Sequence, residues 1–285
     1  SVIVLDEAQI VPTKQLLPCL RALIELVANY GCSVVLCTAT QPAFNGMLGR
    51  KGFAVREIAP APSELFKKLK RVSYRFDGVL GDDDLAARLA DRDQSLCIVN
   101  SRKQARRLHE LLDGEGSYHL TTLMHPVHRE RVLNEIRQRL REGRTCRVVA
   151  TSLIEAGVDV DFPVVYRALA GVDSMVQAAG RCNREGRQSA EESIVHVFEP
   201  ADDYALPSDV AQKVAIARSV ISEMEGAACE SCDIGALEAI DPYFARLYAV
   251  REGALDASGV LRDLEGFSLK SLNIPFKRAA DDFRM

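Results

Sequence analysis

The feature that most constrains this chain is an alternation of apolar and amphipathic segments between residues 72 and 198. Six segments are predicted strands: Val72–Phe76, Leu96–Asn100, Tyr118–Thr122, Arg147–Thr151, Val164–Ala168 and Ile194–Phe198. Helices are predicted between most of them, at Asp84–Asp91, Arg102–Leu112, Val127–Arg141 and Asp173–Arg181. Strands that alternate with helices pair in parallel, because each helix carries the chain back across the sheet. The pattern therefore predicts a complete α/β domain whose parallel sheet is covered on both faces.

The first 60 residues predict a smaller α/β segment. It has a buried strand at Val2–Leu5, a helix at about Lys14–Asn29, a second strand at Ser33–Cys37 and a short strand near Phe53–Ile58. About three strands are too few for a complete domain of this class, so we expect an incomplete lobe. The Pro-rich stretch APAPSE follows at 59–64 and indicates a linker. Helices predicted at Ser208–Glu225 and Ala236–Glu252 indicate a helical extension, and we divide the chain into 1–62, 63–200 and 201–285.

Composition limits the kinds of partner. The 285 residues carry a formal net charge of −4, so any nucleic-acid contact must come from a local patch rather than from overall charge. No apolar run is long enough to span a membrane, and no export signal precedes the first strand. We therefore expect reduced cysteines and a cytoplasmic protein. Cys229 and Cys232 form one CxxC pair, which supplies two of the four ligands of a structural zinc site; a loop with two thiols is the favoured interpretation.

Two acidic residues follow the first predicted strand. Asp6 and Glu7 would stand at its carboxyl end, where open α/β sheets bind ligands. Nucleoside triphosphatases place a metal-binding Asp there, beside a Glu that acts on the attacking water. Thr38 and Thr40, at the end of the next strand, could bond to this acidic site. Adjacent acids after a strand are common, and a polar surface loop is the alternative.

A second motif, TSLIEAGVDVDFPVVYR, follows the strand that ends at Thr151. The hydroxyls of Thr151 and Ser152 suit a nucleic-acid phosphate. Gly157 permits a tight turn, and Asp159 could reach the ribose or γ-phosphate region of a nucleotide. The alternative is a strand, a loop and a strand with a capping Asp.

A third motif is QAAGRCNREGR at residues 177–187. Gln177, Arg181 and Arg184 recur at spacings of four and three, which predicts that they share one helix face. Two guanidinium groups and an amide on one face would clamp a triphosphate. A solvated helix with salt bridges is the alternative.

These stretches occur in a specific order with IVNSRKQA and TTLMHPVHRERV. Together they resemble superfamily 2 helicases, and within them the helicase half of the CRISPR-associated helicase–nuclease of type I interference. The resemblance covers about residues 1–200. It implies an α/β protein with a partial first RecA-like lobe, a complete second RecA-like lobe with a parallel sheet, and a helical C-terminal extension.

The resemblance also implies a role for each matching residue. Asp6 would hold Mg²⁺ and Glu7 would polarise the attacking water, while Gln9, Thr38 and Thr40 would couple nucleotide state to lobe movement. ATP would be bound by Gly157, Asp159, Gln177, Arg181 and Arg184, and the last three would contact its phosphates as catalytic residues. One DNA strand would be contacted by Ser101, Arg102, Thr121, Thr151 and Ser152. Arg129 lies in a basic predicted helix, for which a solvated face is favoured over a DNA-facing edge.

The implied activity is ATP-driven translocation on single-stranded DNA, with a guide-RNA surveillance complex as partner. The chain contains no GxxxxGK[ST] phosphate loop and no His-Asp dipeptide of a metal-dependent nuclease. We therefore expect both segments upstream of Ser1 in a longer parent protein, and background ATP hydrolysis from this chain alone. A non-catalytic nucleic-acid-binding scaffold is the alternative, and an RNA helicase is disfavoured by Gln9 and Gln177.

Overall fold

The computed structural model describes residues 1–38, 55–155, 157–226, 233–265 and 276–283. The chain divides into two compact units, one made of residues 1–59 and 240–285 (unit 1) and one of residues 60–239 (unit 2). Among the helices that the structure describes, none has the length and apolarity needed to cross a membrane. Thr40, Cys229 and Cys232 lie outside the described residues.

The described strands are β1 (Val2–Leu5), β2 (Ser33–Leu36), β3 (Ser73–Leu80), β4 (Gln94–Ile98), β5 (Ser117–Leu120), β6 (Cys146–Ala150), β7 (Val165–Ala168) and β8 (Ile194–Pro200). The described helices are α1 (Leu16–Tyr30), α2 (Pro62–Lys68), α3 (Asp82–Ala90), α4 (Arg102–Leu111), α5 (Pro126–Arg141), α6 (Val172–Ala179), α7 (Ser208–Gly226), α8 (Leu237–Val250), α9 (Val260–Glu265) and α10 (Phe276–Asp282).

Unit 2 contains a six-stranded sheet in the order β3-β8-β7-β4-β6-β5, and all of its pairs are parallel. The α/β prediction is thus confirmed. Alternate residues of β4 enter different cores because successive side chains of a strand point to opposite faces. Leu96 and Ile98 pack in the core that includes Ile136 of α5, whereas Cys97 and Val99 pack in the core that includes α3 and α4. A strand buried on both faces needs a continuous apolar run, which explains its sequence.

Unit 1 contains the parallel pair β1–β2 and the helix α1. Gly31 adopts φ 60° at the end of α1, and the N–H of Cys32 donates to the Leu26 carbonyl at 3.1 Å, so glycine permits the left-handed turn that ends the helix. The prediction that Val2–Leu5 is buried is wrong. Val2 and Val4 are 68% and 60% exposed, because β2 is the one described strand that pairs with β1. Residues 55–58 of the predicted short strand form no strand, and 53–54 lie outside the described residues.

Candidate functional site

Three strands of unit 2 end side by side. Ile98 of β4 and Leu120 of β5 both pair with Ala150 of β6, which lies between them. The N–H of Thr151 donates to the Leu120 carbonyl at 3.1 Å, so the hydrogen bonding between β6 and β5 continues one residue beyond β6. The residues that follow these strands include Ser101, Thr121, Thr151 and Ser152. The structure therefore brings together, at one edge of the sheet, segments that the sequence assigns to nucleic-acid contact.

The polar groups at this edge are suited to an anion. Ser101 caps α4 by accepting the Lys103 N–H at 3.2 Å, so the helix presents its positive dipole end here. Arg102 and Lys103 are exposed and form no ion pair among the described residues. The hydroxyl of Thr151 is buried and has no hydrogen-bond partner in the described part of the chain. This edge thus offers exposed positive charge and a hydroxyl that is left unpaired within the fold.

The loop after Thr151 carries two predicted nucleotide-binding residues. Gly157 has φ 69°, which a residue without a side chain adopts at no steric cost. Asp159 forms an ion pair with Arg184, with 2.7 Å between the Asp159 Oδ1 and Arg184 Nε atoms. The N–H of Arg184 also donates to Asp161 at 2.7 Å. Asp159 and Arg184 are exposed, so this pair is accessible to a ligand.

The prediction that Gln177, Arg181 and Arg184 share one helix face is wrong. Helix α6 ends at Ala179, and Asn183 then adopts φ 47°, so both arginines lie beyond the helix. Asn183 organises this turn: its side-chain amide donates to the carbonyl of Gln188 at 2.8 Å. Gln177 remains on α6 and is half-buried. Local hydrogen bonds of Asn183 compete successfully with continuation of the helix.

Arg181 is buried and is bonded to the backbone. Its Nε atom donates to the Ile154 carbonyl at 3.0 Å, and its Nη2 atom donates to the Glu155 carbonyl. The guanidinium group therefore supports the loop between Thr151 and Asp159. Its predicted contact with a nucleotide phosphate stays a prediction.

A buried polar network that was not predicted from the sequence lies next to this loop. Arg167 of β7 is 1% exposed, and its Nη2 atom lies 3.0 Å from a Glu155 carboxylate oxygen. Arg167 also donates to the Asn100 side chain at 2.8 Å and to the Ser174 hydroxyl at 2.9 Å. The Ser174 hydroxyl in turn donates to Glu155 at 2.6 Å. The network links the end of β4, the loop after β6 and the helix α6.

Burial raises the pKa of Glu155, and the charge of Arg167 opposes that shift. A buried carboxylate of this kind needs a cation and hydrogen bonds to stay ionised. The sequence did contain a signal, because a charged residue stands inside the apolar stretch VVYRALA. Its partner Glu155 could not be identified from spacing alone.

The acidic residues of unit 1 lie in a tight turn after β1. Glu7 has φ 52° and ψ 45°, a left-handed conformation that is uncommon for a residue with a side chain. The Gln9 amide donates to the Glu7 carboxylate, and the Thr38 hydroxyl donates to the Gln9 carbonyl oxygen. The structure thus brings Glu7, Gln9 and Thr38 together, and backbone that is strained in this way is frequent at functional sites.

Asp6 fits a shared magnesium ion better than a metal site made only of protein ligands. Its carboxylate is exposed, accepts the Glu7 N–H at 3.0 Å, and forms no ion pair with a described cation. Within the described ranges, no cluster of three or more His, Cys, Asp or Glu residues could hold a metal. Mg²⁺ in nucleotide enzymes is commonly held by one or two carboxylates, water and the substrate phosphates. One exposed carboxylate is therefore sufficient for that role.

Residues 91–187 match a protein-family model described as CRISPR-associated nuclease/helicase Cas3, C-terminal. Over this range the chain is similar to the C-terminal part of Cas3 proteins. The matched range includes the edge formed by β4, β6 and β5, the Asp159–Arg184 pair and the Arg167 network. The resemblance on which the sequence analysis relied is thereby confirmed.

Curated relatives carry the same name. The Cas3 nuclease/helicase of Methanothermobacter thermautotrophicus is 28% identical over 216 residues, which are 70% of this chain and 26% of that protein. The Cas3 of Haloferax volcanii is 41% identical over 59 residues, which are 20% of this chain and 6% of that protein. The chain therefore spans about a quarter of the length of the first relative.

Solved structures share the fold. The crystal structure of T. fusca Cas3 with ATP has a TM-score of 0.64 at 19% identity and covers 90% of this chain, which corresponds to 38% of that chain. A chain in the structure of a pre-nicking CRISPR RNA-guided surveillance complex has a TM-score of 0.61 at 18% identity, with coverages of 90% and 40%. At these identities the likeness establishes the architecture, and function has to be argued from the site.

Proposed function

We propose that this chain is part of an ATP-dependent motor that translocates on single-stranded DNA in type I CRISPR interference, an antiviral defence in the cytoplasm. A longer parent protein would supply the phosphate loop and the nuclease. The observation that carries the proposal is that β4, β6 and β5 end next to one another. Their carboxyl ends therefore bring Ser101, Thr121 and Thr151 to the same side of the sheet. Hydroxyls, backbone N–H groups and exposed cations bind phosphates without reading bases, as a motor that moves along any sequence requires.

The DNA contact would be electrostatic in large part. Arg102 and Arg129 form no ion pair among the described residues, so neither has to give up a carboxylate partner to bind a phosphate. Binding should therefore weaken with salt, by a slope of about 0.7 per phosphate neutralised on a single strand. We therefore propose the DNA-facing interpretation of Arg129 rather than a purely solvated one.

Each unit carries residues with a proposed role toward the nucleotide. Glu7, oriented by its bond from Gln9, would polarise the attacking water, and Thr38 would link that orientation to the end of β2. Asp6 would hold Mg²⁺, which neutralises charge on the phosphates when bound. Gly157, Asp159, Gln177 and Arg184 of unit 2 would contact the nucleotide, with Asp159 orienting the Arg184 guanidinium group. T. fusca Cas3 has been solved with ATP, AMPPNP and ADP, which supports nucleotide binding here.

The proposed loading partner is a guide-RNA surveillance complex. Its support is the similarity to a chain in such an assembly. Cytoplasmic location is part of the same proposal.

One observation favours a second candidate, a non-catalytic scaffold that binds nucleic acid. Arg181 donates to backbone carbonyls of the 151–159 loop, and the N–H groups used there are not available to a phosphate. The motor proposal requires that Arg184 alone supplies the positive charge in this state, or that Arg181 exchanges partners when ATP binds.

The test is ATP hydrolysis with and without single-stranded DNA or RNA, on this chain and on a version extended upstream to include a phosphate loop. We expect turnover from the extended version, stimulated by DNA more than by RNA and abolished by Glu7→Gln. The matched control is Glu25→Gln, which changes a glutamate of the same unit whose side chain is 45% exposed and should leave the rate unchanged. DNA binding without turnover by the extended version would reject the motor and favour the scaffold. Robust turnover by residues 1–285 alone would contradict the expected division of the site.

A further inference from the structure

Two large apolar side chains lie exposed beside the proposed nucleic-acid edge. Leu123 is 76% exposed and Val127 is 70% exposed. Leu123 is the most exposed large apolar residue among those that the structure describes. Single exposed apolar residues are ordinary on protein surfaces, but two within five residues at a candidate site require an explanation. We call Leu123 and Val127 the apolar surface.

The backbone around the apolar surface is well ordered by local contacts. The N–H of Met124 donates to the Thr121 carbonyl at 3.1 Å, and the Met124 side chain packs against the core beneath β5 and β6. Pro126 then begins α5, and the N–H of Arg129 donates to the His125 carbonyl at 2.9 Å. Because Met124 anchors the turn inward, Leu123 is held outward. A surface fixed in this way loses little conformational entropy when it binds a partner.

Unpaired cations border the apolar surface. Val127 and Arg131 are four residues apart on α5 and therefore lie on the same helix face. Arg129 and Arg131 form no ion pair among the described residues, and Glu130 is the one acidic residue between 121 and 131. Two arginines later in the helix do have partners. Arg139 pairs with Glu115 at 2.8 Å, and Arg137 donates to the Asp159 carbonyl at 3.0 Å.

We infer that the apolar surface contacts the base faces of a single nucleic-acid strand whose phosphates follow Thr121, Arg129 and Arg131. The inference rests on the proposed function and adds a base-contacting element to it. A single strand combines anionic phosphates with exposed apolar base faces, whereas a duplex conceals those faces in its stack. Leucine side chains of minor-groove proteins insert between base steps of DNA, so leucine can pack on a base face. Such a contact reads no sequence because every base has a face of this kind.

The test compares two oligonucleotides of equal length, oligo-dT and an abasic strand with the same phosphates, by fluorescence anisotropy with the 285-residue chain. The variant is Leu123→Ser with Val127→Ser. The control is Leu69→Ser with Val79→Ser, which removes apolar residues of unit 2 that are 68% and 66% exposed. A second comparison uses Arg129→Gln, which removes charge and leaves the apolar surface intact.

We expect the Leu123/Val127 variant to bind oligo-dT about tenfold more weakly, because two apolar side chains are no longer buried against the bases. Its affinity for the abasic strand and its salt dependence should not change. Arg129→Gln should weaken both strands alike and reduce the salt slope by about 0.7. The control variant should match the wild type on both strands.

Three results would overturn the inference. Equal losses on oligo-dT and the abasic strand would mean that the variant disturbs the phosphate contacts and not a base contact. Wild-type affinity of the variant for both strands would exclude a base contact and leave the apolar surface to a protein partner. Failure of the wild-type chain to bind either strand would reject the proposed function as well. Failure of the base contact alone is therefore distinguishable from failure of the proposed function.

Discussion

Replacing Arg167 with methionine removes the only cation that the structure places on the buried Glu155 carboxylate among its described contacts. Methionine retains most of the apolar stem but has no hydrogen-bond donor. The variant would lose the ion pair at 3.0 Å and the donations to Asn100 at 2.8 Å and Ser174 at 2.9 Å. Glu155 would then stay buried with the Ser174 hydroxyl as its remaining partner in the network.

The expected cost is large because both groups are buried. The side chains of Arg167 and Glu155 are 2% and 7% exposed, and loss of one partner of such a pair costs about 3–5 kcal/mol. At roughly 2–4 °C per kcal/mol for a domain of this size, the melting temperature should fall by about 6–20 °C. The matched control is Arg106→Met, which breaks the ion pair with Glu110. That pair is 77% and 51% exposed, so solvent screens it and its loss should change stability little.

The free energy of unfolding that Arg167→Met loses should become smaller as pH falls. Burial already raises the pKa of Glu155, and without Arg167 the charge that lowers it is gone. The folded variant then binds the Glu155 proton more readily than the unfolded chain does. Stability from this group is therefore present below the unfolded pKa of about 4.3 and is lost as pH rises through the raised folded value. The difference in free energy of unfolding between the variant and the wild type should therefore be smaller at lower pH.

The assay is urea unfolding followed by circular dichroism at pH 7.5 and 5.5, on the wild type, Arg167→Met, Arg106→Met and the double variant Arg167→Met/Glu155→Leu. We expect the double variant to recover most of the loss, since paired removal of a buried ion pair is often close to neutral. An unfolding midpoint for Arg167→Met equal to that of Arg106→Met would refute the argument that the buried charge needs its partner.

Two further predictions concern stability. The ring centroids of His109 and His119 are stacked 5.5 Å apart, and burial lowers the pKa of both residues. The unfolded chain therefore binds more protons than the folded one, and stability should be lost as pH falls through about 6.5. His119→Gln should reduce that loss in thermal melts between pH 7.5 and 5. An unchanged pH slope in that variant would count against the histidine pair as its source. Limited proteolysis should leave a core near residues 70–200, because six paired strands bury far more apolar surface than the β1–β2 pair; equal protection of residues 1–60, measured by mass spectrometry, would contradict this.

Strands and most helices could be predicted because their signals are local. A parallel strand buried on both faces needs an apolar run, and Leu96–Ile98 and Val148–Ala150 have one. The DEAQ, TSL and GRCNREG motifs were recognisable because their residues are contiguous in the chain. That β4, β6 and β5 are neighbours whose carboxyl ends align was not predictable, because strand order depends on which apolar faces pack against which helices.

The predicted arginine face failed for a physical reason. Spacings of four and three place residues on one face only while the helix continues, and α6 stops at Ala179. Asn183 stabilises the turn that follows through bonds to the backbone of Arg71 and Gln188, and Arg71 is distant in sequence. The buried position of Arg181 follows from the same turn.

By itself, the sequence determined the α/β class, the order of its elements and the identity of the residues at the strand ends, because these depend on periodicity and on side chains that are neighbours in the chain. Only the tertiary structure decided which cations are neutralised. Arg167 and Arg181 are committed to buried partners, Arg184 is paired with Asp159, and Arg102 and Arg129 have no ion pair among the described residues. The reason is that a charge interacts through space, and the distances between these groups are set by the packing of segments that lie far apart in the chain.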